Sequence, residues 1–323
     1  MVGGGSISLR FWGARGSIAA PLSNRELASK IEAALQQALE EGLHDVSDVG
    51  RFVAGLPWPV GKTAGGDTSC VEVRAGGELL ILDAGTGIRP LGLELVRNAG
   101  REPVEAHILL SHTHWDHICG FPFFVPAFVP GSKLTIASPH EGLESRFRRQ
   151  QHAEFFPVSL DSMAADIRFV ELEPEGQFRV GEVDIATLPL SHPGGSFGYR
   201  ISYNGGAVVY ATDSEYKELS QVALEPYHDF FRGADVLIFD AQYTLAESVE
   251  KEHWGHSTAF VGIDMALEAG VKQLLLTHHE PTYDDRKLWD IQQQAMRYLE
   301  LQGGEGRLGV ELAYEGMEIL IVS

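Results

Sequence analysis

The sequence predicts an α/β fold, and three observations lead to this class. Short apolar segments of strand length, such as LLILD and VLIFD, recur along the chain and end in a polar residue. Segments with apolar residues at helical spacing lie between them. The composition is that of a globular protein, because 44% of the 323 residues are hydrophobic and 22% are charged.

The first predicted helix lies near the start of the chain. Residues 24–41 carry Leu27, Ile31 and Leu35 on one helical face. We interpret this helix as the first part of a helical insertion at about residues 20–60.

Two further helices are predicted near the other end. One covers Thr258–Ala269, with Ser257 as N-cap and Gly270 as the stop, and the other covers Asp285–Leu301. The segment YNGGA is typical of a hairpin turn between two strands. No linker rich in proline, glycine or serine divides the chain, so residues 1–323 are expected to form one domain.

Six predicted strands end in a side chain that can bind a metal ion. A strand fixes the backbone while the following loop exposes the side chain, so functional residues gather at such ends. We therefore expect one common rim. In chain order the residues are Asp83, His112, His192, Asp213, Asp240 and His278.

The densest candidate site is the stretch SHTHWDHICG. His112, His114, Asp116 and His117 fall within it, and imidazole nitrogen and carboxylate oxygen are ligands of first-row transition metals. In H-x-H, two residues leaving an extended segment point the same way. Four such side chains can serve two adjacent ions, whereas the alternative is a histidine-rich surface loop that captures metal weakly.

HTHWDH resembles the H-x-H-x-D-H motif of the metallo-β-lactamase superfamily. ILDAGTG, LSHPGG, YATDSE and LLLTHHEP resemble further motifs, in the family's order. The resemblance implies a four-layer αββα sandwich with its metal site on one edge. It also implies two divalent ions, zinc in the first place, with manganese and iron as alternatives.

The resemblance implies a ligand role for seven side chains and a supporting role for an eighth. One ion would be bound by His112, His114 and His192, the other by Asp116, His117 and His278, with Asp213 bridging them and Asp83 orienting a ligand histidine. Zinc enzymes that hydrolyse antibiotics commonly place a cysteine at the bridging position. The aspartate therefore argues against β-lactam hydrolysis.

Hydrolysis is the chemistry expected of such a site. Two ions about 3.5–4 Å apart can share a water and lower its pKa from about 15.7 toward 7. Phosphodiesters suit this chemistry, because a metal-bridging hydroxide can attack phosphorus while both cations neutralise the non-bridging oxygens. Asp116 is counted among the catalytic residues as well as the ligands.

HWGHSTAF supplies a candidate general acid, His256, just ahead of a predicted helix cap. A helix N-terminus disfavours the imidazolium, so the ring should give up its proton readily. The segment is similar to the tRNase Z and PhnP-like phosphodiesterase branch, in which this histidine protonates the leaving group. Asp240 either orients His256 or is a strand-end turn residue.

Three residues are candidate substrate contacts, with ordinary turns as the alternative. They are Gly194 and Gly195, through their backbone, and Arg15, through its side chain.

The net charge of the chain and the length of its apolar run restrict the partners that the protein can have. A net charge of −20 repels phosphate backbones, and no basic glycine-rich arm like that of tRNase Z is visible, so long nucleic acid is disfavoured and a small phosphodiester such as a cyclic nucleotide is predicted. The basic run ESRFRRQQ is interpreted as a solvated helix face. The run at 121–131 is too short and proline-rich to span a membrane. With the insertion, it could instead roof the site and stack on a base, whereas the commoner explanation of such a segment is a core or dimer contact.

Other expectations concern the setting of the chain. Its start, MVGGGS, is expected to be a flexible tail, and the location is expected to be cytoplasmic. The resembled branch implies a homodimer.

Two other functions stay open. Thioester, ester or lactone hydrolases of the glyoxalase II kind share this ligand set, and for them His256 would be dispensable. A non-hydrolytic di-iron or sensor protein is the second alternative, because histidine and carboxylate suit iron as well as zinc.

Overall fold

The computed structural model describes residues 5–100 and 102–322, so residues 1–4 of the expected tail lie outside the described residues. Within these ranges, fourteen strands form two seven-stranded sheets. The strands are β1 Ser6–Gly13, β2 Cys70–Ala75, β3 Glu78–Leu82, β4 Glu105–Leu109, β5 Lys133–Ser138, β6 Asp166–Glu171, β7 Gln177–Val180, β8 Val183–Leu190, β9 Ser196–Tyr203, β10 Gly206–Ala211, β11 Val236–Asp240, β12 Gln273–Thr277, β13 Gly309–Leu312 and β14 Glu318–Val322.

Each sheet is antiparallel on one side and parallel on the other. The first has the order β14-β1-β2-β3-β4-β5-β6, with parallel pairing from β3 to β6. The second has the order β13-β12-β11-β10-β9-β8-β7, with parallel pairing from β10 to β13. The sheets face each other across a buried apolar layer that includes Phe11 and Leu80 from the first and Tyr199 and Val208 from the second.

Helices cover the outer face of each sheet. Phe147 and Leu91 belong to the apolar cluster outside the first sheet, and Ile263 and Leu288 to the cluster outside the second. The predicted αββα sandwich is therefore confirmed. The helices are α1 Asn24–Glu40, α2 Val49–Gly55, α3 Trp58–Gly61, α4 Ile88–Asn98, α5 Trp115–Ile118, α6 Leu143–Gln150, α7 Gln221–Phe231, α8 Leu245–Glu250, α9 Ala259–Ala269 and α10 Asp285–Leu301. Within residues 5–100 and 102–322, no helix combines the length and apolar character needed to cross a membrane.

The predicted cap of α9 is wrong by one residue. Thr258, not Ser257, is the N-cap, and its hydroxyl accepts a hydrogen bond from the Val261 amide. The carbonyl of Ser257 accepts from Tyr243 N at 3.1 Å, which keeps the chain extended up to Thr258. Both residues are good N-caps, so the local sequence alone could not choose between them.

The region predicted as an insertion is helical, because it contains α1, α2 and α3. It contacts the rest of the chain through both aromatic and polar side chains, and Trp58 of α3 stacks on Trp289 of α10 with 6.1 Å between ring centroids. Lys30 forms an ion pair with the buried Asp285 at 2.9 Å. Leu27, Ile31 and Leu35 stay between 46% and 61% exposed, so the apolar face of α1 is not part of the described core. We propose that the whole chain is one domain that carries this insertion, since the two sheets share an apolar layer and both supply residues to the site below.

The proline- and phenylalanine-rich segment after the histidine motif packs differently from the predicted roof. Phe121 and Phe124 are fully buried in the cluster between the first sheet and its helices. This burial corrects the roof expectation for both rings, because neither can reach a ligand.

Candidate metal centre

All seven predicted metal ligands meet where the two sheets end on one edge. They form two adjacent groups, one of His112, His114 and His192 and the other of Asp116, His117, Asp213 and His278. Within each group, one ligand atom from every residue lies within 4.8 Å of the others. The strand ends of both sheets therefore share one rim, as predicted from their polar endings.

The first group consists of three imidazoles. His192 Nε2 lies 3.1 Å from His114 Nδ1, and His192 Nδ1 lies 2.9 Å from the carbonyl oxygen of Gly255. Because Nδ1 donates its hydrogen to that carbonyl, the lone pair on Nε2 is free to bind a metal ion. A Cβ on Gly255 would lie 2.2 Å from His192 Nδ1, so only glycine fits there. His112 Nε2 is buried and has no hydrogen-bond partner among the described residues.

The second group mixes imidazole and carboxylate. His117 Nε2 lies 3.2 Å from Asp116 Oδ2 and 3.3 Å from His278 Nε2. His278 Nε2 lies 3.1 Å from Asp116 Oδ2. Three ligand atoms thus point at one small volume.

Asp213 faces both groups. Its Oδ2 lies 3.3 Å from His117 Nε2, while its Oδ1 lies 3.2 Å from His278 Nε2 and 3.7 Å from His112 Nε2. A carboxylate that presents its oxygens to two neighbouring groups has the position required of a bridging ligand.

The backbone is strained at three of these strand ends. Asp83, Asp213 and His278 have φ values of 61°, 55° and 60°, in the left-handed region that non-glycine residues rarely adopt. Each follows the last residue of β3, β10 or β12 within two positions. The left-handed turn redirects the side chain toward the rim at a cost of about 1–3 kcal/mol each, which the surrounding structure must offset.

The electrostatics favour a positive charge between the groups. Burial opposes ionisation of Asp213, but the imidazoles of His117 and His278 outweigh it and hold the pKa of that carboxyl well below its usual range. Burial also acts to lower the pKa of His278, but Asp213 and Asp116 raise it to about 9. Among the described residues, the basic groups within 4 Å of these two carboxylates are imidazoles, with no lysine or arginine. Buried carboxylates of this kind are stable when a cation lies beside them.

The first group has the opposite character. Burial is the main cause that lowers the pKa of His112, His114 and His192. These rings therefore stay neutral near neutral pH, which is the form that binds a metal ion.

The donor set fits divalent metal ions. Four ligands at 2.0–2.1 Å from a tetrahedral ion lie about 3.3 Å apart. Six of the ligand-atom separations described above are 3.1–3.3 Å, and the seventh, from Asp213 Oδ1 to His112 Nε2, is 3.7 Å. Two imidazole nitrogens at such a separation repel each other unless a proton or a cation lies between them. The buried His112 Nε2 has no hydrogen-bond partner in the described structure, which leaves its lone pair available to an ion.

Asp83 accepts hydrogen bonds that fix the orientation of the proposed ligand His117. Its Oδ2 accepts hydrogen bonds from His117 Nδ1 and Tyr210 Oη, both at 2.7 Å. Its Oδ1 accepts from the Ser111 amide at 2.7 Å. The carboxylate thereby fixes the tautomer of His117 and turns its Nε2 toward the second group.

His256 and Asp240 lie beside the second group. His256 Nδ1 is 2.8 Å from Asp240 Oδ2, and the His256 ring stacks on His278 with 4.9 Å between centroids. Asp240 is fully buried and also accepts from the amides of Ser214 and Gln242. With Nδ1 donating to Asp240, His256 Nε2 is the atom that can carry a proton to a bound substrate.

The predicted substrate-contact residues differ in their position relative to the metal centre and in their hydrogen bonds. Gly194 and Gly195 lie near the first group, with φ near +85°, but the Gly195 amide already donates to the His192 carbonyl at 2.9 Å. The guanidinium of Arg15 is 5% exposed and donates to the carbonyls of Gly65, Glu280 and Tyr283. The structure corrects the expectation for Arg15, because these bonds hold three loops together and turn the side chain away from a substrate.

Three features of the site escaped sequence reasoning. Ser17 N donates to Asp116 Oδ2 at 2.7 Å, and a Cβ on Gly16 would lie 2.4 Å from His278 Nδ1. The glycines of GARGS were a signal for close backbone approach. His140, by contrast, borders Gly195 with a buried and unpartnered Nε2 among the described residues, and an isolated histidine gives no signal.

Comparisons with known proteins agree with this geometry. Residues 79–279 match the family model described as the beta-lactamase superfamily domain. A ribonuclease Z from Prochlorococcus marinus (strain NATL1A) is 24% identical over 265 residues, which cover 64% of this chain and 79% of the relative.

Two solved structures share the fold. The metallo-beta-lactamase fold protein YhfI from Bacillus subtilis aligns with a TM-score of 0.63 and 19% identity, covering 98% of this chain and 99% of its own. A diphosphatase from the PhnP family aligns with a TM-score of 0.57 and 18% identity, covering 98% and 100%. The family, the relatives and the cluster of histidines and aspartates together indicate a metal-dependent hydrolase. The chain belongs to the beta-lactamase superfamily domain family.

Proposed function

We propose that the protein is a dinuclear metal-dependent phosphodiesterase that acts on small phosphodiesters such as cyclic nucleotides. The pair of His256 and Asp240 carries this proposal. Their 2.8 Å hydrogen bond lies next to the ligand group of Asp213 and His278. A general acid is needed where the leaving group is an alkoxide, and a thiolate leaves without one.

The seven clustered side chains would hold the ions. Two divalent ions bound there would lower the pKa of a shared water and neutralise the charge on phosphate oxygens. Zinc is proposed as the resident metal, since three imidazoles form the first group and imidazole with carboxylate forms the second. Elemental analysis of the purified protein identifies the metal.

The protein's own residues supply the proton. Asp240 accepts from His256 Nδ1 and so keeps the other ring nitrogen directed away from the strand end. His256 Nε2 then donates to the departing oxygen, and Asp240 stabilises the imidazolium when the ring regains a proton. The His256 side chain is 9% exposed, so bulk water competes weakly for this role.

The proposed substrate is small because the chain carries a net charge of −20. Long-range repulsion of a polyanion is costly for such a chain unless a local basic surface overrides it. Cleavage of RNA is the second candidate, and the ribonuclease Z relatives favour it. Both candidates break a phosphodiester bond and would use the same general acid.

A turnover screen tests the proposal. The zinc-loaded protein is assayed on 2′,3′- and 3′,5′-cyclic nucleotides, a bis-aryl phosphate, a pre-tRNA, a thioester and a lactone. Hydrolysis of the phosphodiesters, with loss of activity in Asp213→Asn, supports it. Activity confined to the thioester and the lactone overturns it, and cleavage of pre-tRNA alone transfers the assignment to the second candidate.

A further inference from the structure

A cavity of about 330 Å³ opens beside the histidine motif, lined in part by Thr113, Trp115, Arg146, Arg149 and Phe155. We propose that this cavity binds the aromatic base of a nucleotide substrate, an inference that rests on the proposed phosphodiesterase function. The cavity would then select nucleotide esters over phosphodiesters that lack a base.

The position of the cavity connects it to the metal centre. Thr113 lies between the proposed ligands His112 and His114, and Trp115 lies between His114 and Asp116. One wall of the cavity is therefore the ligand loop itself. In this proposal, a substrate whose phosphate lies at the metal centre extends past the ligand loop into the cavity.

The charge of the cavity is opposite to that of the whole chain. Arg146 and Arg149, one helical turn apart on α6, have no carboxylate within 4 Å in the described part of the chain, although the net charge is −20. Arg148, on the same helix, is paired with Glu144 and Asp161 at 2.8 Å. The sequence-based interpretation of this basic run as a solvated face therefore holds for Arg148 and Arg149, which are exposed, and not for Arg146, which is half-buried and donates to Thr113.

Arg146 is fixed in place against the ligand loop. Its Nη1 donates to Thr113 Oγ1 at 2.7 Å, and its Nε donates to the carbonyl of Glu141 at 3.2 Å. A held guanidinium attracts an anion and can also stack on a planar ring. The second guanidinium, from Arg149, has no carboxylate within 4 Å in the described part of the chain. It adds to the positive potential of the cavity.

Two aromatic rings complete the cavity. Trp115 is 67% exposed and Phe155 is 69% exposed, although large aromatic side chains are usually buried. Exposed aromatic faces beside guanidinium groups are the surface on which nucleic-acid bases stack. Gln150, which also lines the cavity, has a buried Oε1 without a hydrogen-bond partner among the described residues.

The test compares two substrates that release the same leaving group. Thymidine 5′-(p-nitrophenyl phosphate) carries a base, and methyl p-nitrophenyl phosphate carries none. The measured quantity is the ratio of kcat/KM for the two esters in the zinc-loaded protein. Arg149→Gln and Phe155→Ala should each lower the ratio by about fivefold to a hundredfold, the range expected for loss of a stacked base. Arg148→Gln removes the same charge from the same helix outside the cavity and should leave the ratio unchanged.

A binding measurement separates this inference from the proposed function. Calorimetry with adenosine 5′-phosphate and ribose 5-phosphate gives the contribution of the base without turnover. If neither ester is hydrolysed, the phosphodiesterase proposal fails, and the cavity stands only if the wild type prefers the adenosine compound and Arg149→Gln loses that preference. If the wild type hydrolyses both esters without preferring the nucleoside ester, or if the cavity variants keep the ratio of the wild type, the cavity assignment is overturned.

Discussion

Replacing His256 with alanine should slow cleavage only where the leaving oxygen needs a proton. The ring of His256 is held at 2.8 Å by Asp240 and packs between His278, His192 and Tyr243. None of the seven proposed metal ligands is removed by this change. We therefore expect His256→Ala to bind its ions normally and to fail in the transfer of a proton.

The size of the effect follows from what general acids contribute. A positioned acid is worth about 10²–10⁴ in rate, or about 3–5 kcal/mol. Truncation to alanine leaves a polar space next to Asp240 that a water can occupy, and such a water is a poorer acid than imidazolium. We expect kcat on a 2′,3′-cyclic nucleotide to fall by about a hundredfold to a thousandfold, in the lower part of that range.

The assay pairs the cyclic nucleotide with bis(p-nitrophenyl) phosphate. p-Nitrophenolate departs without protonation, so kcat on the second substrate should fall less than about tenfold. His253→Ala is the matched control, because His253 lies three residues earlier in the same loop and is exposed. A fall of equal size on both substrates, with metal content intact, would refute the assignment of His256 as the general acid.

Four further outcomes test the rest of the centre. Asp83→Asn should weaken metal binding by about 10–100-fold, because the amide no longer fixes the tautomer of His117; metal titration against a chelator measures this, and an unchanged affinity contradicts it. Gly16→Ala should displace His278, because the added Cβ would lie 2.4 Å from its Nδ1. The zinc content, measured by mass spectrometry, should therefore fall toward one ion per chain. Two retained ions would show that the loop moves instead of His278. The pKa of His278, raised to about 9 in the absence of metal, predicts that zinc must displace a proton, so zinc affinity should rise with pH up to about 9. The same raised pKa stabilises the metal-free fold fully below about pH 6.5, and this contribution is lost as pH rises through about 9, which metal-free thermal unfolding from pH 6 to 9.5 checks.

The closeness of four residues of the site was accessible from the sequence because each of them ends or follows a recognisable strand. β3, β10, β11 and β12 are short apolar segments that end at or just before Asp83, Asp213, Asp240 and His278. Sheet geometry brings the ends of parallel neighbours to one edge, and β10, β11 and β12 are parallel neighbours. The proximity of these residues is therefore a consequence of strand order.

Side-chain detail was not accessible in the same way. Arg15 follows a strand in a glycine-containing turn, where a side chain could contact a substrate. Its guanidinium instead donates hydrogen bonds to three carbonyls of loops that are distant in sequence. Likewise, Phe121 and Phe124 point into the core while Phe123 is 52% exposed. Which ring faces solvent depends on the neighbouring elements that pack against the segment, and those elements are remote in sequence.

The sequence by itself determined the class of fold, which follows from strand and helix periodicity. Its motifs also resemble the metallo-β-lactamase superfamily, and that resemblance implied which histidines and aspartates cluster. Only the tertiary structure decided which atoms face one another: that Asp213 presents its two oxygens to both groups, that Asp240 holds His256, and that Arg146 and Arg149 share a cavity with two exposed aromatic rings. Such relations join residues that are far apart along the chain, and they are fixed by backbone turns and packing that no local pattern records.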